Sequence, residues 1–83
     1  MTGKILYKSS VSHDLKKIGP KDVERILRQA REELTDNPRG GDALHGEFEG
    51  LYKLRVGDYR VVYALSGQDV LVLRIRHRGK AYG

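Results

Sequence analysis

The hydrophobic period of this chain changes near residue 50, and that change bounds the fold more tightly than any other feature. Before it, Val23, Ile26, Leu27, Ala30 and Leu34 recur at helical spacing on one stripe. After it, three strand patterns follow in close succession: Leu51 to Val56, Tyr59 to Leu65 and Val70 to Arg76. Gly57-Asp58 parts the first two, with Gly supplying a positive φ at the first central position, and Ser66-Gly67-Gln68-Asp69 parts the last two. Turns this short join antiparallel neighbours, so the second half is a three-stranded meander.

The first half adds one strand and two helices. Lys4 to Lys8 is rich in β-formers. Ser10 or Ser12 is placed to cap a short helix over about 13–18, with Leu15 and Ile18 as its apolar contacts. Gly19-Pro20 stops that helix and opens the next, which runs from about 21 to 35. Arg25, Arg28, Arg31, Glu32 and Glu33 lie mostly off the apolar stripe and read as its solvated face. Residues 35–41, Thr-Asp-Asn-Pro-Arg-Gly-Gly, are a loop by composition. Val70 to Leu73 is apolar at every position, which predicts burial on both faces. The expected class is α+β: a strand, two helices, then the meander, with the helices packed on one face of a mostly antiparallel sheet. The first strand can join an edge of the meander or cross into its middle, and the pattern leaves both open.

Eighty-three residues make a single domain, 1–83. There is no cysteine, so disulfides and thiolate metal sites are excluded. No apolar run approaches the roughly 18 residues of a membrane span. The start, Met1-Thr2-Gly3-Lys4, lacks the long apolar region of a signal peptide, so a soluble cytoplasmic protein is expected. Charge is unevenly spread. Residues 1–50 hold nine Lys/Arg and nine Asp/Glu, whereas residues 51–83 hold seven Lys/Arg against Asp58 and Asp69. The excess is threaded through strand patterns, which suits a folded surface for a polyanion such as RNA or DNA.

With Gly57-Asp58 as the turn, Val56 faces Tyr59, Arg55 faces Arg60, Leu54 faces Val61 and Lys53 faces Val62. Opposed residues point to the same side of a sheet. Lys53, Arg55 and Arg60 therefore share one face, while Leu54, Val56, Tyr59, Val61 and Tyr63 share the face that takes the helices. Two arginines directly opposite each other repel, a local conflict of the kind found at functional sites. Long basic chains on a solvent face also simply splay into water. The last strand leads into Arg74, Arg76, His77, Arg78, Lys80 and Tyr82. Plain alternation puts His77 on the face of Arg60, where it could act as an acid or base; Tyr82 could stack on a base or cover the core edge. Tyr52 and Tyr63 read as packing residues. His13, His45 and His77 lack metal-ligand spacing. Gly40-Gly41 lacks the setting of a phosphate loop, no serine lies in a nucleophile motif, and Glu47 and Glu49 read as a solvated loop.

The run Leu44-His-Gly, then Leu51-Tyr-Lys-Leu-Arg-Val-Gly-Asp-Tyr-Arg-Val-Val-Tyr63, then Val72-Leu-Arg-Ile-Arg-His-Arg and Tyr82 resembles the RelE toxins of the RelE/ParE toxin–antitoxin superfamily. The resemblance covers nearly the whole chain and implies the RelE-like fold. It implies a ribosome-dependent endoribonuclease that cuts mRNA in the A site without a metal or other cofactor. The family chemistry is attack of a ribose 2′-OH on the adjacent phosphate, giving a 2′,3′-cyclic phosphate and a 5′-OH. By position in the family motifs, Lys53 is a base or phosphate ligand. Arg55 stands where some members have lysine, and as an arginine it clamps phosphate rather than acting as a base. Arg60 stabilises transition-state charge, Arg78 stabilises or protonates the leaving group, and Tyr82 stacks on or orients the substrate. His77 is the alternate acid or base, and Arg76 the alternate for Arg78. Arg74 and Lys80 join the RNA-binding cations. The implied partners are a RelB-like antitoxin, the ribosome and its mRNA. The alternatives are a ParE-like inhibitor of DNA gyrase on the same fold and a non-catalytic nucleic-acid-binding relative.

Overall fold

The computed structural model describes residues 3–77. Strand β1 (Ile5–Tyr7) leads into helix α1 (Ser9–Lys16) and helix α2 (Pro20–Asp36). Then come β2 (Asp42–Ala43), a single 3-10 turn (Gly46–Phe48), β3 (Leu51–Val56), β4 (Tyr59–Ser66) and β5 (Asp69–His77). The strands form one sheet in the order β1-β5-β4-β3-β2. β1 runs parallel to β5 at one edge, and all other pairings are antiparallel. The α+β class and the meander agree with the sequence pattern. The first strand takes the edge beside β5, and the two-residue β2 is an addition that follows the expected loop.

The apolar stripe of α2 packs as its spacing requires. Ile26, Ala30 and Leu34 are buried, with Val23 and Leu27 half-buried beside them. They meet Val56, Val61, Tyr63, Val70, Val72 and Ile75 from the sheet and Val11 from α1. Burying each large member contributes about 1.5–3 kcal/mol relative to exposure. Tyr52 and Tyr63 are packing residues as expected: their rings stack across β3 and β4 with centroids 5.4 Å apart.

Three expectations are corrected. Helix α1 begins at Ser9, earlier than expected, and its N-cap is Lys8 with no side-chain cap bond. Neither Ser10 nor Ser12 caps it; the Ser10 hydroxyl instead donates to the Leu73 carbonyl at 2.6 Å. Val70 to Leu73 is not buried on both faces. Val70 and Val72 are buried under the helices, but Leu71 and Leu73 lie half-buried on the opposite face, which no described element covers. Leu71 is sheltered there by its cross-strand neighbours Ala64 and Leu6, and Leu6 itself is 47% exposed. The third correction concerns the face of His77 and follows from a bulge in β5, described below.

The chain approaches itself closely at Gly41, whose N–H donates to the Tyr63 hydroxyl at 3.1 Å. A Cβ at Gly41 would lie 2.7 Å from that oxygen and 2.8 Å from the Lys53 carbonyl oxygen. Gly41→Ala is therefore expected to lower stability by about 1–3 kcal/mol through overpacking, read from the urea midpoint. An unchanged midpoint would show that the loop before β2 yields freely.

Candidate nucleic-acid interface

Gly57, at φ 59°, makes the tight turn that sets the β3–β4 register. Val56 pairs with Tyr59, Arg55 with Arg60, Leu54 with Val61 and Lys53 with Val62, as the sequence predicts. β5 then extends the rows. Ile75 pairs with Val61, Arg76 with Arg60 and Arg74 with Val62. Arg55, Arg60 and Arg76 thus stand in one cross-strand row on the face away from the helices. Neighbouring strands lie about 4.8 Å apart, so the row crosses three strands in about 10 Å. Lys53 lies in the next row, diagonal to Arg60, and Asp42 of β2 stands opposite it. Between the ends of β3 and β4 a shallow cavity of 200 Å³ is lined by Arg55, Gly57, Tyr59 and Arg60. A row of like charges on one face raises the local positive potential and attracts a phosphate chain.

This row exists because β5 carries a bulge. Tyr63 pairs with Val72 but Val62 pairs with Arg74, so Leu73 is an extra residue. One extra residue flips every later side chain to the other face. Plain alternation put His77 beside Arg60; the bulge instead sets it opposite Tyr59, on the helix-facing side. There its ring meets the Tyr59 ring edge-on, with centroids 5.2 Å apart. A hollow of 380 Å³ at the end of α1 is lined by Asp14, Lys17, Ile18, Tyr59, Ile75, Arg76 and His77. A groove of 1230 Å³ lies away from the cationic row, along α2 and beside Tyr7 of β1.

The expected cations therefore differ in situation. Arg55, Arg60 and Arg76 are brought together, with Lys53 beside them. Arg74 is engaged: its Nε and Nη2 each donate to the Asp14 carboxylate at 2.9 Å, a two-point fork. Arg78, Lys80 and Tyr82 lie outside the described residues. Asp14 was not singled out by its sequence context. Its only signal was an acidic residue beside Leu15 on a short helix with an apolar side. It is 7% exposed and also accepts the Ile75 N–H at 3.0 Å.

Burial pushes the Asp14 carboxyl up, but the Arg74 fork, the Ile75 amide and the charges of Arg74 and Arg76 outweigh it and hold it below the ordinary 3.8. A depressed native value means that the carboxylate stabilises the fold above pH 3.8. The contribution fades as pH falls through the native value. Asp14→Asn should therefore cost about 1.5–3 kcal/mol near neutrality, by loss of the charged hydrogen bonds. The gap to wild type should close below pH 3.8 in urea titrations across the acid range. A gap that persists in acid would contradict the charged fork.

The described residues thus combine a cationic cross-strand row on the outer sheet face with a two-helix α+β core. Residues 5–82 match the family model described as "ParE toxin of type II toxin-antitoxin system, parDE". The curated Toxin RelE of Mycobacterium tuberculosis is 32% identical over 89% of this chain and 79% of its own length. Toxin RelG of the same organism is 28% identical over 94% of this chain and 93% of its length. The toxin–antitoxin complex RelBE2 from M. tuberculosis contains a chain that superposes with a TM-score of 0.85 at 27% identity, covering 94% of this chain and all of that one. The chain belongs to the ParE toxin family of type II toxin–antitoxin systems, and within the RelE/ParE superfamily it is a RelE-like toxin.

Proposed function

We propose that this toxin is a ribosome-dependent endoribonuclease that cuts mRNA at A-site codons and so stops translation. The observation that carries the reading is the alignment of Arg55, Arg60 and Arg76 in one row, with Lys53 diagonal to it. Names of relatives add support, since RelE and RelG toxins match nearly the whole chain. In the proposed reaction the ribose 2′-oxygen bonds to the adjacent phosphorus and the bond from phosphorus to the 5′-oxygen breaks. The 2′-OH proton leaves to a base, and the departing 5′-oxygen gains one from an acid. Both non-bridging oxygens carry negative charge in between. Preorganised guanidinium groups lower the cost of that charge, which is the largest single contribution available to a site of this kind.

Arg55 and Arg60 are assigned to clamp the scissile phosphate, and Lys53 to bind or deprotonate beside it. Arg76 stands where the resemblance allowed an alternate for Arg78, and its pairing with Arg60 supports a share in stabilising charge on the scissile phosphate. Arg78, Lys80 and Tyr82 keep the roles their motif positions imply. His77 is assigned the alternate acid or base role only, because it stands on the other side of β5. Arg74 belongs to the RNA-binding cations through its exposed portion alone, since its fork is committed to Asp14. Arginine is too basic to take the 2′-OH proton readily. A site so dominated by arginine depends on outside positioning of its substrate, and the ribosome supplies that by holding the codon still. The proposed site of action is therefore the cytoplasmic ribosome. The second proposed partner is a RelB-like antitoxin, because related toxins are solved as toxin–antitoxin complexes.

The family model's ParE description favours a second reading, inhibition of DNA gyrase on the same fold. One experiment separates the two. Primer extension on a defined mRNA in a purified translation system should show ribosome-dependent cuts within A-site codons. Arg60→Ala should weaken them by about 10²–10³-fold, the usual cost of one charge-stabilising donor. Folded wild type that leaves mRNA intact but blocks gyrase supercoiling would overturn the nuclease reading.

A further inference from the structure

The edge of β5 changes partner halfway along. As far as Val72 it is covered by β1: the Val70 N–H donates to the Lys4 carbonyl, and the Lys8 N–H donates to the Val72 carbonyl. β1 ends at Tyr7, yet β5 runs on to His77. The bulge at Leu73 also changes which backbone groups face this edge. Before it they belong to Val70 and Val72; after it they belong to Leu73 and Ile75. Helix α1 meets both. Ser10 donates to the Leu73 carbonyl, and Asp14 accepts the Ile75 N–H.

The match is geometric. Ser10 and Asp14 are four residues apart on a helix, which spaces them by about 6 Å along the axis. The Leu73 carbonyl and the Ile75 N–H lie two residues apart on the strand and face the same edge, within reach of that pair. A polar pair at i, i+4 on the helix thus stands in for the missing stretch of edge strand. It fits only the bulged frame. Without the bulge, the edge-facing amides would belong to Arg74 and Arg76, and Arg76 would swing to the helix side. Asp14 also grips Arg74, the residue between the two anchored positions.

We propose that Asp14, with Ser10, is the positioning residue of the cationic row: it holds β5 in the bulged frame that keeps Arg76 opposite Arg60. This rests on the nuclease reading for its effect on rate, but not for its effect on structure. Asp14 touches no substrate; it acts through the strand that carries Arg76.

The test pairs nuclear magnetic resonance with kinetics on wild type, Asp14→Ala and Asp14→Asn. In Asp14→Ala the Ile75 amide should exchange at least about tenfold faster, as a local opening. The cross-strand contacts between Arg60 and Arg76 should weaken while the rest of the spectrum stays dispersed. Single-turnover cleavage, with toxin in excess over stalled ribosomes, should slow by about 10²-fold, the cost of a misplaced group near 1 Å. That rate constant is insensitive to the fraction of folded toxin. Ribosome binding should hold or tighten, because Arg74 is released. Asp14→Asn keeps an acceptor for Ile75 and should recover part of both the exchange protection and the rate. Wild-type cleavage by Asp14→Ala would overturn the proposal, as would an intact Arg60–Arg76 contact with a protected Ile75 amide. If wild type itself cuts no RNA, the nuclease reading fails alone, and the exchange and contact data still decide whether Asp14 holds Arg76 in place. Should Asp14→Ala not fold, Asp14→Asn and Ser10→Ala carry the same comparison, and unchanged exchange and rate in both would overturn it.

Discussion

Between Val62 and Tyr63 of β4, the partner strand β5 carries one residue more, and this inserted Leu73 decides which side of the sheet Arg74 to His77 occupy. The hydrophobic pattern and the hydrogen bonds agree on it. Core positions in β5 run Val70, Val72, then Ile75, a jump of three where a regular strand allows two. Pairing without the bulge would turn Ile75 outward and press Arg74 and Arg76 against the helices. Burying unpaired guanidinium groups there would cost far more than a local irregularity in the ladder. The bulge thus sorts β5 into an apolar side and a cationic side, and the row Arg55–Arg60–Arg76 follows from it.

Most of the hairpin was legible from residues alone. Gly57-Asp58 sets the turn, the turn sets the register, and the register sorts Lys53, Arg55 and Arg60 from Leu54, Val56 and Val61. The helical stripe of α2 was equally plain, because Ile26, Ala30 and Leu34 share one face. What escaped reading depends on pairs of segments far apart in the chain. The place of β1 depends on which edge of the meander stays open, and nothing within Ile5–Tyr7 encodes that. The bulge is a property of two strands at once, so counting along β5 put His77 on the wrong face. Asp14 looked like one acid on a short helix. Its partners lie about sixty residues away and come together only in the fold.

The two helices and the sheet divide the work. α2 supplies most of the helical core, and among the described residues no helix covers the outer face of the meander. α1 is short and partly polar, and its Ser10 and Asp14 engage the β5 edge. One fold can host unrelated functions, so activity has to be argued from the site and not from the scaffold. Here the site is cationic and rich in arginine, and lacks an obvious strong base among its described members. That composition suits a catalyst that stabilises charge on a substrate already held in position by something larger.

In the proposed reaction Arg60 and Arg76 act as one unit on one phosphate. The measurement that tests it most directly is a double-mutant cycle on single-turnover mRNA cleavage, using Arg60→Ala, Arg76→Ala and the pair together. Residues that act as a unit are strongly non-additive, so the double variant should cleave about as slowly as the slower single one. Losses that simply multiply, or a double variant that cleaves like wild type, would contradict a shared role and leave the row as a docking surface alone.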